Sequence, residues 1–169
     1  MAFDFERFVR EHQDRVYVFA LGLTRSRAEA DDVAQETFVR AYRALSEWGD
    51  ERLAELQERA WLYRVCVNVV RNRFRAARIR PAAGLTEEVA WTGTGPEAAA
   101  MALAERERLW ALVRGLPPAQ RTAVLLHFIE GLSFPEVAEV MDMPVRTVKS
   151  HASRGVAMLR RQYAALEVA

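Results

Sequence analysis

Arg64, Asn68, Arg71, Arg75 and Arg78 follow one another at intervals of four, three, four and three residues. On an α-helix that spacing sets them along one side. Guanidinium groups in such a row hold phosphates, and the one amide, Asn68, has the donor and acceptor needed to pair with a base. Trp61 and Tyr63, just upstream, offer aromatic faces on which an exposed base can stack. The stretch from Arg59 to Thr86 has seven arginines and no acidic residue, a charge density that repels itself unless a polyanion is its partner.

A second basic row lies near the C-terminus, where Arg146, Lys149, Ser150, Ser153 and Arg154 are at helical spacing with His151 beside them. Cations that seek phosphate mixed with short hydroxyls suit the base edges of a duplex. Catalysis fits the residues poorly. His12, His127 and His151 share no helical face, there is no Cys–His metal spacing, and there is no glycine-rich phosphate loop. No catalytic residue, metal or cofactor is expected, and Cys66, flanked by Val65 and Val67, reads as a small core residue.

Helices must position both rows. With 51% hydrophobic residues in 169, and apolar positions recurring three and four apart, the chain is expected to be all-α with a packed core. The first helix carries Phe5, Phe8, Val9, His12, Val16, Phe19, Ala20 and Leu23 on its inner stripe. Ser26 and Glu29 form a capping-box pattern that opens a second helix, whose inner stripe runs Ala30, Val33, Ala34, Thr37, Phe38, Ala41 and Leu45. Its outer face presents Asp32, Gln35, Glu36, Arg40 and Arg43. A polar turn and an acidic belt (Glu47, Asp50, Glu51, Glu55, Glu58) lead to the helix with the first basic row, from about Arg59 to about Arg80.

Pro81 stops that helix, and residues 81–96 show neither helical nor strand periodicity, which marks a linker between two small helical domains, 1–80 and 97–169. In the second domain the helical pattern with Met101, Leu109, Trp110 and Val113 breaks at Leu116-Pro117-Pro118. A helix through Ala123, Val124 and Phe128 then stops at Gly131. Ser133-Phe134-Pro135-Glu136 is another capping box, followed by a short helix with Val137, Ala138 and Met141 inward. The turn Asp142-Met143-Pro144 leads to a helix from about Val145 to about Arg161, anchored by Val148 and Val156, and the pair reads as a helix-turn-helix. Asp142 takes the turn position where glycine is usual. No apolar run is long enough to span a membrane and no export signal is visible, so a cytoplasmic protein without membrane insertion is expected. The net charge of +1 averages over these segregated blocks, which suit partners of different character.

These segments resemble the extracytoplasmic-function (ECF) group of sigma-70-type factors. Asp31-Asp32-Val33-Ala34-Gln35-Glu36-Thr37-Phe38 is similar to the group's polymerase-binding segment, and Ala60-Trp61-Leu62-Tyr63-Arg64-Val65-Cys66-Val67-Asn68 to its promoter-melting helix. Leu116-Pro117-Pro118, Glu130-Gly131-Leu132-Ser133 and Thr147-Val148-Lys149-Ser150 resemble its C-terminal domain. The resemblance implies that residues 1–80 are sigma region 2, with Asp32, Gln35 and Glu36 docking on the clamp helices of the polymerase β′ subunit. It implies further that Trp61, Arg64, Asn68, Arg71 and Arg75 meet the melted minus-ten strand. Residues 97–169 would be sigma region 4, touching the β flap and reading the minus-35 element through Arg146, Lys149, Ser150, His151 and Arg154. Core RNA polymerase, promoter DNA and an anti-sigma factor are the implied partners of a chain that is monomeric when free.

The chain departs from the group's pattern in the acidic loop 51–58, at His151, where arginine is common, and at Gly155 inside the reading helix. A helix-turn-helix regulator that binds duplex without polymerase is the alternative. The Asn68 row speaks against it, because such a regulator needs no second nucleic-acid surface.

Overall fold

The computed structural model describes the backbone of residues 3–79 and 97–167, and the side chains of 3–77 and 105–166. The expected linker, 81–96, and the side chains of Arg78 and Met101 lie outside these residues. The described backbone is helical, with no strand among the described residues.

Helices α1 (Phe5–Leu23), α2 (Arg27–Ser46) and α4 (Glu58–Ile79) pack on one another, and the five-residue α3 (Asp50–Ala54) bridges the last two. The apolar stripes explain the packing. Phe8, Val16, Phe19, Val33, Leu62 and Val69 are each at most 1% exposed, so the spacing read from the sequence coincides with burial. Asp4 caps α1 by accepting from the Arg7 amide, and Ser26 caps α2 by accepting from the Glu29 amide. The second half of the expected box is altered: the Glu29 carboxylate accepts the amide of Arg25, not that of Ser26, at 2.9 Å. Helix α3 falls within the acidic belt, where the sequence gives no sign of a helix. Five residues of mixed charge are too few to show periodicity.

Cys66 is fully buried, and burial pushes the thiol up to about 12. It is therefore a protonated core group at neutral pH. A disulfide exchange reagent added to the native protein should label no thiol until denaturant unfolds it, and prompt labelling would refute the packing around Cys66.

The C-terminal half comprises α5 (Glu97–Gly115), α6 (Pro118–Val124), α7 (Phe134–Met141) and α8 (Val145–Glu167). A π-helical turn, Leu125–Ile129, interrupts the helix expected through Phe128, and Gly131 ends it at φ +72°. The wider turn leaves Phe128 and Ile129 more than half exposed while Leu125 and Leu126 stay buried. Helix α8 runs several residues past the expected end. Ala152 and Gly155 are buried along it, whereas Val156 is only half-buried. A Cβ on Gly155 would come within 2.7 Å of a Val124 methyl, so this glycine permits the close crossing of α6 and α8.

The two halves share one apolar core. Helix α7 lies on α4, and α1 touches α5 and α6. A Cβ built on Gly22 would stand 2.8 Å from Leu125 and 3.0 Å from Trp110, so a side chain there would wedge the halves apart. Among the described residues, four hydrogen bonds cross the seam. Arg59 donates to the Glu130 carbonyl, the Tyr63 hydroxyl to the Glu130 carboxylate, Arg71 to the Met141 carbonyl at 2.8 Å, and Arg121 to the Leu23 carbonyl at 3.3 Å.

Candidate nucleic-acid interface

Helix α4 presents its basic row as the spacing requires. Arg64, Asn68 and Arg75 are exposed, and Arg71 is half-buried because its guanidinium tops the carbonyl end of α7. Among the described residues no carboxylate forms an ion pair with Arg64 or Arg75, so their charge is available to an outside anion, whereas Arg71 is engaged by the Met141 carbonyl. Arg73, off the row, pairs with Asp32 at 3.4 Å.

Of the two aromatic faces expected beside this row, one is present. Trp61 is half-buried and packs edge-on against Trp48, with ring centres 5.1 Å apart, while the Arg52 guanidinium lies 3.7 Å over the Trp48 ring. Tyr63 is a correction. It is 2% exposed, lies edge-on to Phe19, and hydrogen-bonds Glu130, so it cannot stack on a base. Burial, then the bond to Glu130, raises its phenol well above the ordinary range. Position 63 turns inward because it follows Leu62 on the buried side of α4.

Helix α3 with its flanking residues, α4 and α7 border a cleft of about 280 Å³, whose lining includes Trp48, Arg52, Glu55, Leu56, Trp61, Arg64 and Glu139. Aromatic rings and an apolar wall suit a planar base, and the two arginines face two carboxylates, Glu55 and Glu139. The resemblance assigns strand contacts to the loop before Trp61, which holds Arg52 and Leu56, without singling either out, and Trp48 is not among the expected residues. The only signal for them was their place in the loop before Trp61.

On the outer face of α2, Asp32 and Gln35 are exposed, and Glu36 pairs with Arg40 at 2.7 Å. Val39 and Tyr42, 44% and 56% exposed, continue the ridge at the same helical spacing as Asp32 and Gln35. An apolar strip within a polar rim is the composition of a protein-docking surface, and the emphasis on charged residues overlooked it.

The helix-turn-helix is present. Ser133 and Glu136 complete a reciprocal capping box, and Asp142 adopts the left-handed conformation, φ 54° and ψ 53°, that the turn demands. Arg146, Lys149, Ser150, Ser153 and Arg154 of α8 are exposed on one face, and His151 is half-buried beside them. The Lys149 ammonium lies 5.6 Å over Phe134, whose ring stacks on His127 at 3.9 Å. The His127 Nδ1 faces the Leu132 carbonyl at 2.7 Å, which fixes the ring under the start of α7.

Bonds from Ser133, the side chain foremost, hold the Glu136 carboxyl below its usual range. A depressed folded-state pKa stabilises the fold above the unfolded carboxylate pKa, and that contribution is lost as pH falls through the lowered value. Ser133→Ala should therefore cost about 1 kcal/mol in neutral buffer. The gap to the wild type should narrow on acidification, as followed by urea unfolding; a gap independent of pH would exclude this coupling.

His12 has its Nε2 3.1 Å from Glu58, with Glu11 nearby. Arg7 stands 3.9 Å from both carboxylates and balances their charge. Among the described residues no helix is long and apolar enough to cross a membrane.

Comparison with known proteins assigns each half of the chain to a described family. Residues 8–79 match the family described as Sigma-70 region 2, and residues 106–159 match Sigma-70, region 4. The ECF RNA polymerase sigma factor SigW of Bacillus subtilis is 30% identical over 94% of this chain and 88% of its own length. The ECF RNA polymerase sigma-E factor of Haemophilus influenzae is 32% identical over 94% and 86%. Among solved structures, CnrH in complex with the cytosolic domain of CnrY superposes with a TM-score of 0.68 at 27% identity, covering 95% of this chain and 88% of that one. The sigma factor RpoE of Bartonella quintana, in complex with the anti-sigma factor NepR, shares the fold with a TM-score of 0.73 at 19% identity, covering 94% and 95%. Matches to both regions in order, with relatives alike over nearly their whole length, place the chain in the ECF group of sigma-70-type RNA polymerase sigma factors.

Proposed function

We propose that this chain directs core RNA polymerase to specific promoters and opens them without chemistry of its own, by binding duplex with one half and unwound strand with the other. The observation that carries the proposal is the pair of exposed basic faces, on α4 and α8, in one short polypeptide. In this reading Arg64, Arg71 and Arg75 hold strand phosphates. Asn68 pairs with a minus-ten base, and Trp61, Trp48 and Arg52 line the cleft for an extruded one. Stacking contributes about 1–3 kcal/mol per base, which offsets the unpairing of a few bases and lets binding alone drive melting.

Arg146, Lys149, Ser150, His151 and Arg154 read the minus-35 duplex. Asp32, Gln35, Val39 and Tyr42, with Glu36 at the rim, dock on the polymerase clamp helices, and the exposed pair Phe128 and Ile129 is the apolar patch available to the β flap. Polymerase fixes the spacing of the two readers, which joins their affinities. An anti-sigma factor is a further partner of this cytoplasmic, monomeric chain, as it is of the RpoE relative in the complex named above. The domains are assigned as 1–80 and 97–169 with 81–96 between them.

Reconstitution with core polymerase on a genomic fragment library, followed by mapping of transcript 5′ ends, tests the proposal. Starts at defined sites preceded by two shared sequence blocks support it. Starts no different from those of core enzyme alone refute it, and tight sequence-specific binding to duplex without polymerase favours the stand-alone regulator.

A further inference from the structure

Arg25, Arg114 and Arg121 belong to neither basic row, yet they converge where α1, α5 and α6 meet. Arg121, on α6, donates to the Leu23 carbonyl at 3.3 Å and to the Leu116 carbonyl at 3.0 Å. Leu23 ends α1 and Leu116 follows the last residue of α5, so one guanidinium joins the carbonyl ends of helices from the two halves. Arg25 comes two residues after Leu23, and Arg114 two residues before Leu116. Each is set beside the same junction from its own half.

Positive charge at this junction is in excess. Burial, then the charges of Arg25 and Arg114, lowers the pKa of Arg121. Burial also lowers that of Arg114, and Glu107 of the same helix acts in the opposite sense. Among the described residues no carboxylate forms an ion pair with any of the three arginines. Glu29 is the acidic neighbour of Arg25, but its carboxylate accepts the Arg25 backbone amide. A guanidinium keeps its proton at every working pH, so the crowding is not relieved by deprotonation. An anion from outside relieves it.

Arg25 is exposed and Arg114 and Arg121 are half-buried, so the group is reached from solvent. Three of the five N–H donors of Arg121 face carbonyls, which leaves two for a ligand. We propose that Arg25, Arg114 and Arg121 form a binding site for a multiply charged phosphate group at the junction of α1, α5 and α6. Planar guanidinium forks pair bidentately with phosphate oxygens, and two or more negative charges offset an excess that a single carboxylate would leave. The site is separate from promoter reading and does not rest on it. Because its members come from both halves, a bound phosphate stabilises their packing and raises the melting temperature as its concentration rises.

Inorganic tripolyphosphate is the probe, titrated by calorimetry into the full-length chain at an ionic strength held constant with sodium chloride. The rows on α4 and α8 also attract polyanions, so the readout is the difference between wild type and variants. Arg121 is left in place because it ties helix ends together. Arg25→Gln and Arg114→Gln should each weaken the tightest site about tenfold or more, the worth of one charge-assisted hydrogen bond. Arg108→Gln, which removes an exposed charge elsewhere on α5, should leave that site unchanged. At about a hundred times its dissociation constant the probe should raise the wild-type melting temperature by roughly 5 °C or more, and that of the double variant not at all.

A second titration, with a short duplex of arbitrary sequence and with one of its strands, distinguishes the source of the phosphate. Loss of tripolyphosphate affinity with DNA affinity unchanged supports the site and assigns it to a free phosphate compound. Loss of DNA affinity in the Arg25 and Arg114 variants supports the site with a nucleic-acid backbone as the source. Variants that match the wild type toward both probes overturn the proposal, as does an equal loss from Arg108→Gln.

Discussion

Polymerase carrying Arg154→Ala binds minus-35 duplex roughly 5- to 150-fold more weakly, yet still opens DNA once bound, whereas Asn68→Ala leaves duplex binding intact and impairs opening by a similar factor. The range follows from about 1–3 kcal/mol for one base-reading side chain, at about 1.4 kcal/mol per tenfold. Arg154 is exposed on α8, and its bond to the Ser150 carbonyl at 3.3 Å keeps the guanidinium on the reading face. Its loss removes both a charge and a donor fork from the duplex contact.

Asn68 lies on the exposed side of α4 between Arg64 and Arg71, where truncation deletes an amide and spares the phosphate contacts. Filter binding to duplex and permanganate reactivity of unpaired thymines separate the two effects. Equal loss of both activities from either substitution would contradict two independent readers.

Phe8→Ala is expected to cost about 3–5 kcal/mol, the range for deleting a fully buried aromatic ring. The Phe8 ring is wholly inaccessible and meets Phe3, Phe5, Phe38 and His12 at centroid distances between 4.9 and 6.4 Å. Five rings in one cluster hold α1 against α2, and α2 carries the face assigned to polymerase. A cavity there should lower the melting temperature by roughly 10 °C, at about 2–4 °C per kcal/mol for a chain of this size. Calorimetry checks the shift, and a drop of only a degree or two would mean that the cluster repacks freely.

The elements with long apolar stripes were legible from sequence. Nineteen- and twenty-residue helices give several turns over which a three-to-four spacing repeats, so the inner faces of α1 and α2 were read correctly. Capping chemistry also carried through at Ser133 and Asp142, because those residue types have few other uses at those positions. Short elements were not legible. Helix α3 has five residues, and the π turn Leu125–Ile129 adds one residue to a helical turn without any residue type that signals it.

The site was half visible for a similar reason. Charges announce themselves by type, so the rows on α4 and α8 could be listed from spacing. Whether an aromatic side chain faces out depends on a neighbour far along the chain. Tyr63 looked available until Glu130, 67 positions away, supplied its partner. The seam between the halves was invisible for the same reason, since Gly22 meets Leu125 only through the fold.

The central claim is that α4 holds unwound strand while α8 holds duplex at the same promoter. Photo-crosslinking from a benzophenone amino acid placed at Asn72 of α4 and, separately, at Ser153 of α8, in polymerase bound to one mapped promoter, tests it most directly. The account predicts that the Asn72 probe labels one strand near the start site within the melted segment, and that the Ser153 probe labels double-stranded DNA farther upstream. Labelling of the same DNA segment by both probes, or none from Asn72, would contradict it.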